Sequence, residues 1–196
     1  MAKPRPVRGI QPSRRLRPNA RKILAVRIDE IYQYDGLVGD PRNITELHDM
    51  RIAFKRLRYL LEIFGEAFTQ DLGPFLDEVK RLQDLLGDIH DCDVQVPMLV
   101  AHLAWLEEQE SQSVAAMLIR GQRASSPDNS DVALAQFRSR LNAARRADER
   151  PGIHTLIAQR RSARIALYEQ FTTQWRRLKH ERFRHRLETA LGIVTS

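Results

Sequence analysis

The sequence predicts an all-α protein built of antiparallel helical bundles, and three observations carry that expectation. Apolar residues recur at three- and four-residue steps through most of the chain. No stretch alternates convincingly with period two. The Gly, Pro and Asp clusters that interrupt the periodicity fall between the periodic stretches. With 42% apolar and 29% charged residues among 196, the chain can bury a core and is not wholly disordered.

Taken in order, residues 1–18 are expected to form a flexible basic arm, because Pro4, Pro6, Pro12 and Pro18 oppose an amphipathic helix there. Residues 19–196 are expected to form a single helical domain, with a front half at 19–123, a linker at 124–130 and a back half at 131–193. A first helix spans about 20–34 on Ile23, Leu24, Ile31 and Tyr34, and Asp35-Gly36 ends it. The second opens near Thr45, a candidate cap, and follows Leu47, Met50, Phe54, Leu57, Leu61, Phe64 and Phe68 to a stop at Gly73-Pro74. Phe75, Val79, Leu82 and Leu86 lead to Gly87, which either caps a helix or lies inside one. Ile89 to about Glu110 is helical again with a kink at Pro97. Beyond the linker come a helix at 131–147, a break at Arg150-Pro151-Gly152, a helix from Ile153 to about Leu178 and a last one to about Leu191.

The formal net charge is +7, and its placement matters more than its size. Residues 1–22 hold eight of the 32 Lys and Arg and no acid, leaving 24 basic against 25 acidic side chains in the rest. A case for an anionic partner therefore rests on which helix faces carry the remaining cations. Cys92 is the lone cysteine, so neither an internal disulfide nor a CxxC site can form. With no apolar run near the ~20 residues of a membrane span and no apolar stretch after the basic start, the expected location is cytoplasmic.

On a helical wheel of residues 44–68, His48, Arg51, Lys55 and Arg58 share one arc beside the apolar arc, with Arg56 nearby. Ten residues at ~1.5 Å rise make a cationic track about 15 Å long. A single phosphate does not need such a track, whereas an extended polyanion does; a plain solvated face is the competing reading. In the helix from Ile153, Arg160 and Arg164 fall inside the apolar arc, and Arg27 repeats this between Ile23, Leu24 and Ile31. Guanidinium groups on a core-facing stripe are either paired internally, with Glu62 a candidate acid, or face a wet groove open to an anion. If the helix continues through Gly87, then Lys80, Gln83, Gly87 and His90 share a face, and the glycine permits close approach.

Two segments carry a family resemblance. His48-Asp49-Met50-Arg51-Ile52-Ala53-Phe54-Lys55-Arg56-Leu57-Arg58-Tyr59 is followed by Leu82-Gln83-Asp84-Leu85-Leu86-Gly87-Asp88-Ile89-His90-Asp91-Cys92-Asp93-Val94. Together they resemble the CHAD family, the conserved-histidine α-helical domain, in a His-x-x-Arg helix with a basic continuation and a Leu-Gly-x-x-(Arg/His)-Asp-x-Asp-Val segment. The resemblance implies two helical halves packed around a basic groove or pore and binding of inorganic polyphosphate. By it, His48, Arg51, Lys55, Arg56 and Arg58, with Lys80 and Arg81, line the binding surface, and Arg27, Arg160 and Arg164 are added from their positions on the wheels. The resemblance also implies association with polyphosphate-metabolising enzymes or granules. A second His-x-x-Arg copy is not legible after residue 130. Arg160, Arg161, Arg164 and the run Arg176-Arg177-x-Lys179-His180-x-Arg182 stand in its place, and a second subunit, as in a homodimer, is one way to complete the surface.

Two rival functions are weighed against non-catalytic binding. A polyphosphate- or phosphate-ester-processing enzyme, or its accessory subunit, needs a metal-binding carboxylate cluster or an activated nucleophile. The compact candidate, His90-Asp91-Asp93, spreads its side chains around a helix, and there is no P-loop, HExxH or Gly-rich phosphate loop. An RNA-binding protein is the other, but the basic arcs carry few aromatics for stacking. No cofactor and no metal are expected. Trp105 and Trp175 read as packing residues, and Tyr59 and Tyr168 as residues at the core edge.

Overall fold

The computed structural model describes residues 3–13, 15–123 and 148–194, together with Ser139. Among the described residues the chain is helical and has no strand. Its helices are α1 (Leu16–Tyr32), α2 (Ile44–Phe64), α3 (Gly73–Arg123), α4 (Arg150–His180) and α5 (Phe183–Ala190), with a short 3-10 turn at Gly65–Ala67. The expected linker at 124–130 lies outside the described residues, as does the expected helix at 131–147 apart from Ser139.

Element boundaries differ from the sequence reading for identifiable reasons. Helix α1 begins at Leu16 although Pro18 follows, because a proline in the first turn gives up an N–H that has no intrahelical acceptor. Asn43, not Thr45, precedes α2, and its side-chain amide donates to the Leu37 carbonyl at 2.8 Å. Gly73-Pro74 opens α3 instead of closing α2: the Asp71 carboxylate accepts the Gly73 N–H at 2.8 Å. Phe68 lies beyond α2 in extended backbone, yet it remains buried. Helix α3 runs without interruption through Gly87 and contains Pro97. Arg150-Pro151-Gly152 is the start of α4, with the Arg150 N–H bonded to Asp148 at 3.1 Å.

The chain divides into two compact units, Met1–Asp93 with Ala163–Ser196, and Val94–Ser162. In the first, Leu24, Ile28 and Ile31 of α1, Met50, Phe54 and Leu57 of α2, Leu82, Leu86 and Ile89 of α3, Phe171 and Leu178 of α4 and Leu187 of α5 share one core. Trp175 is a packing residue as expected, meeting Phe54 edge-on at 6.0 Å while its indole N–H donates to Asp35 at 2.7 Å. Tyr168 donates to the Val38 carbonyl at 2.9 Å. The N-terminal segment runs antiparallel to α1: the Arg5 carbonyl accepts Arg27 at 2.8 Å, the Gly9 carbonyl accepts Lys22 at 2.5 Å, and Gln11 pairs with Asn19.

In the second unit Leu103 and Ile157 are buried, and Arg150 bridges Asp148 and Glu110. Trp105 departs from its expected packing role: it is 55% exposed and stacks on His102 at 5.6 Å, since three- and four-residue spacing places a residue on a face without showing what covers it. No helix among the described residues is long and apolar enough to cross a membrane.

Candidate functional site

The cationic arc of α2 lies along its seam with α3. His48 meets His90 with 3.2 Å between their Nδ1 atoms, and a Cβ placed on Gly87 would sit 3.8 Å from Nε of Arg51. Further along, Glu62 lies 3.8 Å from Lys80. Positions thus rise along α2 as they fall along α3, so the two helices run antiparallel and bring their basic faces to one line. His48, Arg51, Lys55, Arg58, Lys80 and His90 share that seam.

The cations along it are not equally committed. Glu62 accepts Arg58 at 3.1 Å and lies beside Lys80, so one carboxylate serves two cations at one end. Among the described residues no carboxylate pairs with Arg51 or Lys55. Lys55 and Arg58 each stand 5.9 Å from the centre of the Tyr59 ring, which is half exposed at the edge of the helix. That places an aromatic face inside the track and gives Lys55 an anchor that leaves its N–H donors available.

The remaining predicted residues are placed elsewhere. Arg56 turns to the α1 side of α2, where it lies 3.8 Å from Glu30. Arg27 is buried and bonds the buried Glu30, one helical turn on. Arg164 bonds Asp93 and donates to the Pro41 carbonyl at 2.8 Å. Internal pairing therefore describes Arg27 and Arg164, with Glu30 and Asp93 as the partners and not Glu62. Arg81 is exposed and reaches Glu78 at 3.3 Å, and Arg160 is exposed in the second unit.

His90 is the site residue whose role the sequence reading passed over. Its signal was present in the Lys80, Gln83, Gly87, His90 face, but linking it to His48 requires the antiparallel register. Asp93 is bonded to Arg164 and Asp91 is exposed, so the three members of the His90-Asp91-Asp93 cluster point to different surroundings. No group of three His, Cys, Asp or Glu suited to a metal occurs among the described residues. Burial, and then the charge of His90, holds the pKa of His48 below the ordinary imidazole value.

With this geometry in place, the model of the CHAD domain matches residues 2–100, just over half of the chain. The chain belongs to the CHAD family. Both motif segments of the CHAD match lie on the α2–α3 seam. No curated protein and no solved structure matches the chain.

Gly87 faces Arg51 across this CHAD seam, and its helical backbone does not require glycine. A methyl there would make an ordinary contact with Arg51, while a mid-helix glycine costs about 1 kcal/mol relative to alanine. Gly87→Ala is expected to raise stability by roughly 0.5–1 kcal/mol in urea unfolding. A loss of more than about 1 kcal/mol would show that the helices cannot accept even one carbon.

Proposed function

We propose that the α2–α3 seam binds inorganic polyphosphate and does not turn it over. The observation that carries this reading is the pair of uncommitted cations, Arg51 and Lys55, fixed on a packed helix beside the His48–His90 contact. Such cations gain more from an added anion than cations already paired, and their backbone is ordered before the ligand arrives. Their spacing along the helix suits a ligand that repeats its charge. Membership of a family associated with polyphosphate-related proteins supports the same ligand.

In this reading His48, Arg51, Lys55, Arg58 and Lys80 contact the polyanion, and Arg81 adds charge at one end. Arg27, Arg56 and Arg164 hold α1, α2 and α4 in place through their carboxylates. Recruitment to polyphosphate granules or to polyphosphate-metabolising enzymes, and completion of the surface by a second copy, are consistent extensions.

The test is a titration with long-chain polyphosphate and with a single-stranded RNA of similar charge at matched salt, with orthophosphate release followed in parallel. Polyphosphate is expected to bind more tightly and to remain intact. Equal affinity for RNA would point to general phosphate-backbone binding. Orthophosphate release lost on changing His90 or Asp91 would establish an enzyme.

A further inference from the structure

We infer that His90 is a second histidine of the anion site, and that the His48–His90 pair takes up one proton when the polyanion binds. This rests on the polyphosphate reading above and adds the protonation state in which the site accepts its ligand.

The argument begins with the contact itself. Two Nδ1 atoms at 3.2 Å, in rings 4.4 Å apart, can be joined by one hydrogen, so one ring donates and the other accepts. In the neutral pair the donating ring carries its hydrogen on Nδ1, and its Nε2 is a bare lone pair. The accepting ring carries its hydrogen on Nε2. The neutral pair therefore offers one Nε2 donor and one Nε2 acceptor, and a phosphate oxygen is repelled by the second.

Adding one proton removes that conflict. The bridge keeps its hydrogen, both Nε2 atoms become N–H donors, and the pair gains one positive charge. A further proton would set two N–H groups against each other across the bridge, so the coupling stops at one. The shared hydrogen makes the added proton a property of the pair and not of either ring alone.

The charged groups around the pair fix the direction. Arg51 on α2 opposes the extra proton and Asp49 on α2 favours it, while Asp91 follows His90 on the exposed side of α3. Burial also opposes the extra proton at His48. A polyanion lying against Arg51 reverses the local field and favours the charged form. Binding then favours the protonated bridge, and by linkage affinity must rise as pH falls.

The experiment is calorimetric titration of the full chain with long-chain polyphosphate, few of whose groups are chain ends that titrate in this range. Two buffers of different ionisation enthalpy at about pH 7.5 give the protons taken up, and the titration is repeated from about pH 8 to about pH 6.5. The wild type is expected to take up between about half a proton and one, with affinity rising up to about tenfold per pH unit. His90→Gln and His48→Gln, each checked for helicity, are each expected to lose most of that uptake. Binding by the wild type without proton uptake overturns the inference and leaves the polyphosphate reading standing. Uptake unchanged in whichever folded Gln variant is obtained has the same meaning. Absence of binding at every pH overturns the functional reading and the inference with it.

Discussion

Replacing Arg51, Lys55 and Arg58 together by glutamine is expected to weaken polyphosphate binding by at least about a hundredfold at physiological salt, with helicity unchanged. Two lost charge-assisted contacts at ~1.5–3 kcal/mol each already reach that size when ~1.4 kcal/mol is a factor of ten. Arg58 adds less, because its release from Glu62 offsets part of what it gives the ligand. None of the three side chains is in the buried core, so the helix does not depend on their charge. The comparison is Lys3→Gln with Arg8→Gln, two exposed cations of the N-terminal segment. That pair is expected to lower the association rate and the salt slope modestly, as long-range steering does. If it abolished binding while the triple replacement left it intact, the affinity would lie in the N-terminal charge and not in the seam.

Glu30→Ala is expected to destabilise the fold by about 3–5 kcal/mol in urea unfolding, the range for breaking a buried ion pair from one side. Glu30 is 2% exposed, bonds the Arg27 guanidinium and the Arg5 N–H, and lies near Arg56. Its removal leaves a buried guanidinium on the α1 core face without a carboxylate. Replacing both partners, Arg27→Met with Glu30→Leu, is expected to recover most of the loss, because no charge is then stranded. A single-variant effect under about 1 kcal/mol would mean that water reaches the pair and solvates Arg27.

How far the sequence reached follows from which periodicities one helix can show. The α2 arc was legible because His48, Arg51, Lys55 and Arg58 obey a single helical repeat, and that repeat needs no knowledge of neighbours. The partners of these residues were not. Glu62 was read as an acid for Arg27, Arg160 or Arg164, yet it serves Arg58 on its own helix and Lys80 across the seam. Arg27 already had an acid three positions on, in Glu30, a spacing local enough to have been found. Asp93 as the partner of Arg164 was beyond reach, since 71 positions separate them and only packing brings them together. The proline and glycine signals misled in a consistent direction. Pro18, Pro74 and Pro151 each stand in the first turn of a helix, where they were taken to keep one out or to end one.

The order of the chain through the first compact unit bears on how the protein is made. Its core is begun by α1, α2 and the start of α3 and closed by α4 and α5, after the chain has left to build Val94–Ser162 and come back. The Trp175 bond to Asp35 spans 140 positions, and the Arg21 bond to the Leu191 carbonyl spans 170. Such contacts cannot form while the ribosome still holds the C-terminal third, so the apolar faces of Leu24, Phe54 and Leu86 wait uncovered during synthesis. The segment that bears the family motifs is thus translated before the helices that seal it, and the nascent chain passes through an interval in which its apolar faces are open to association with other chains.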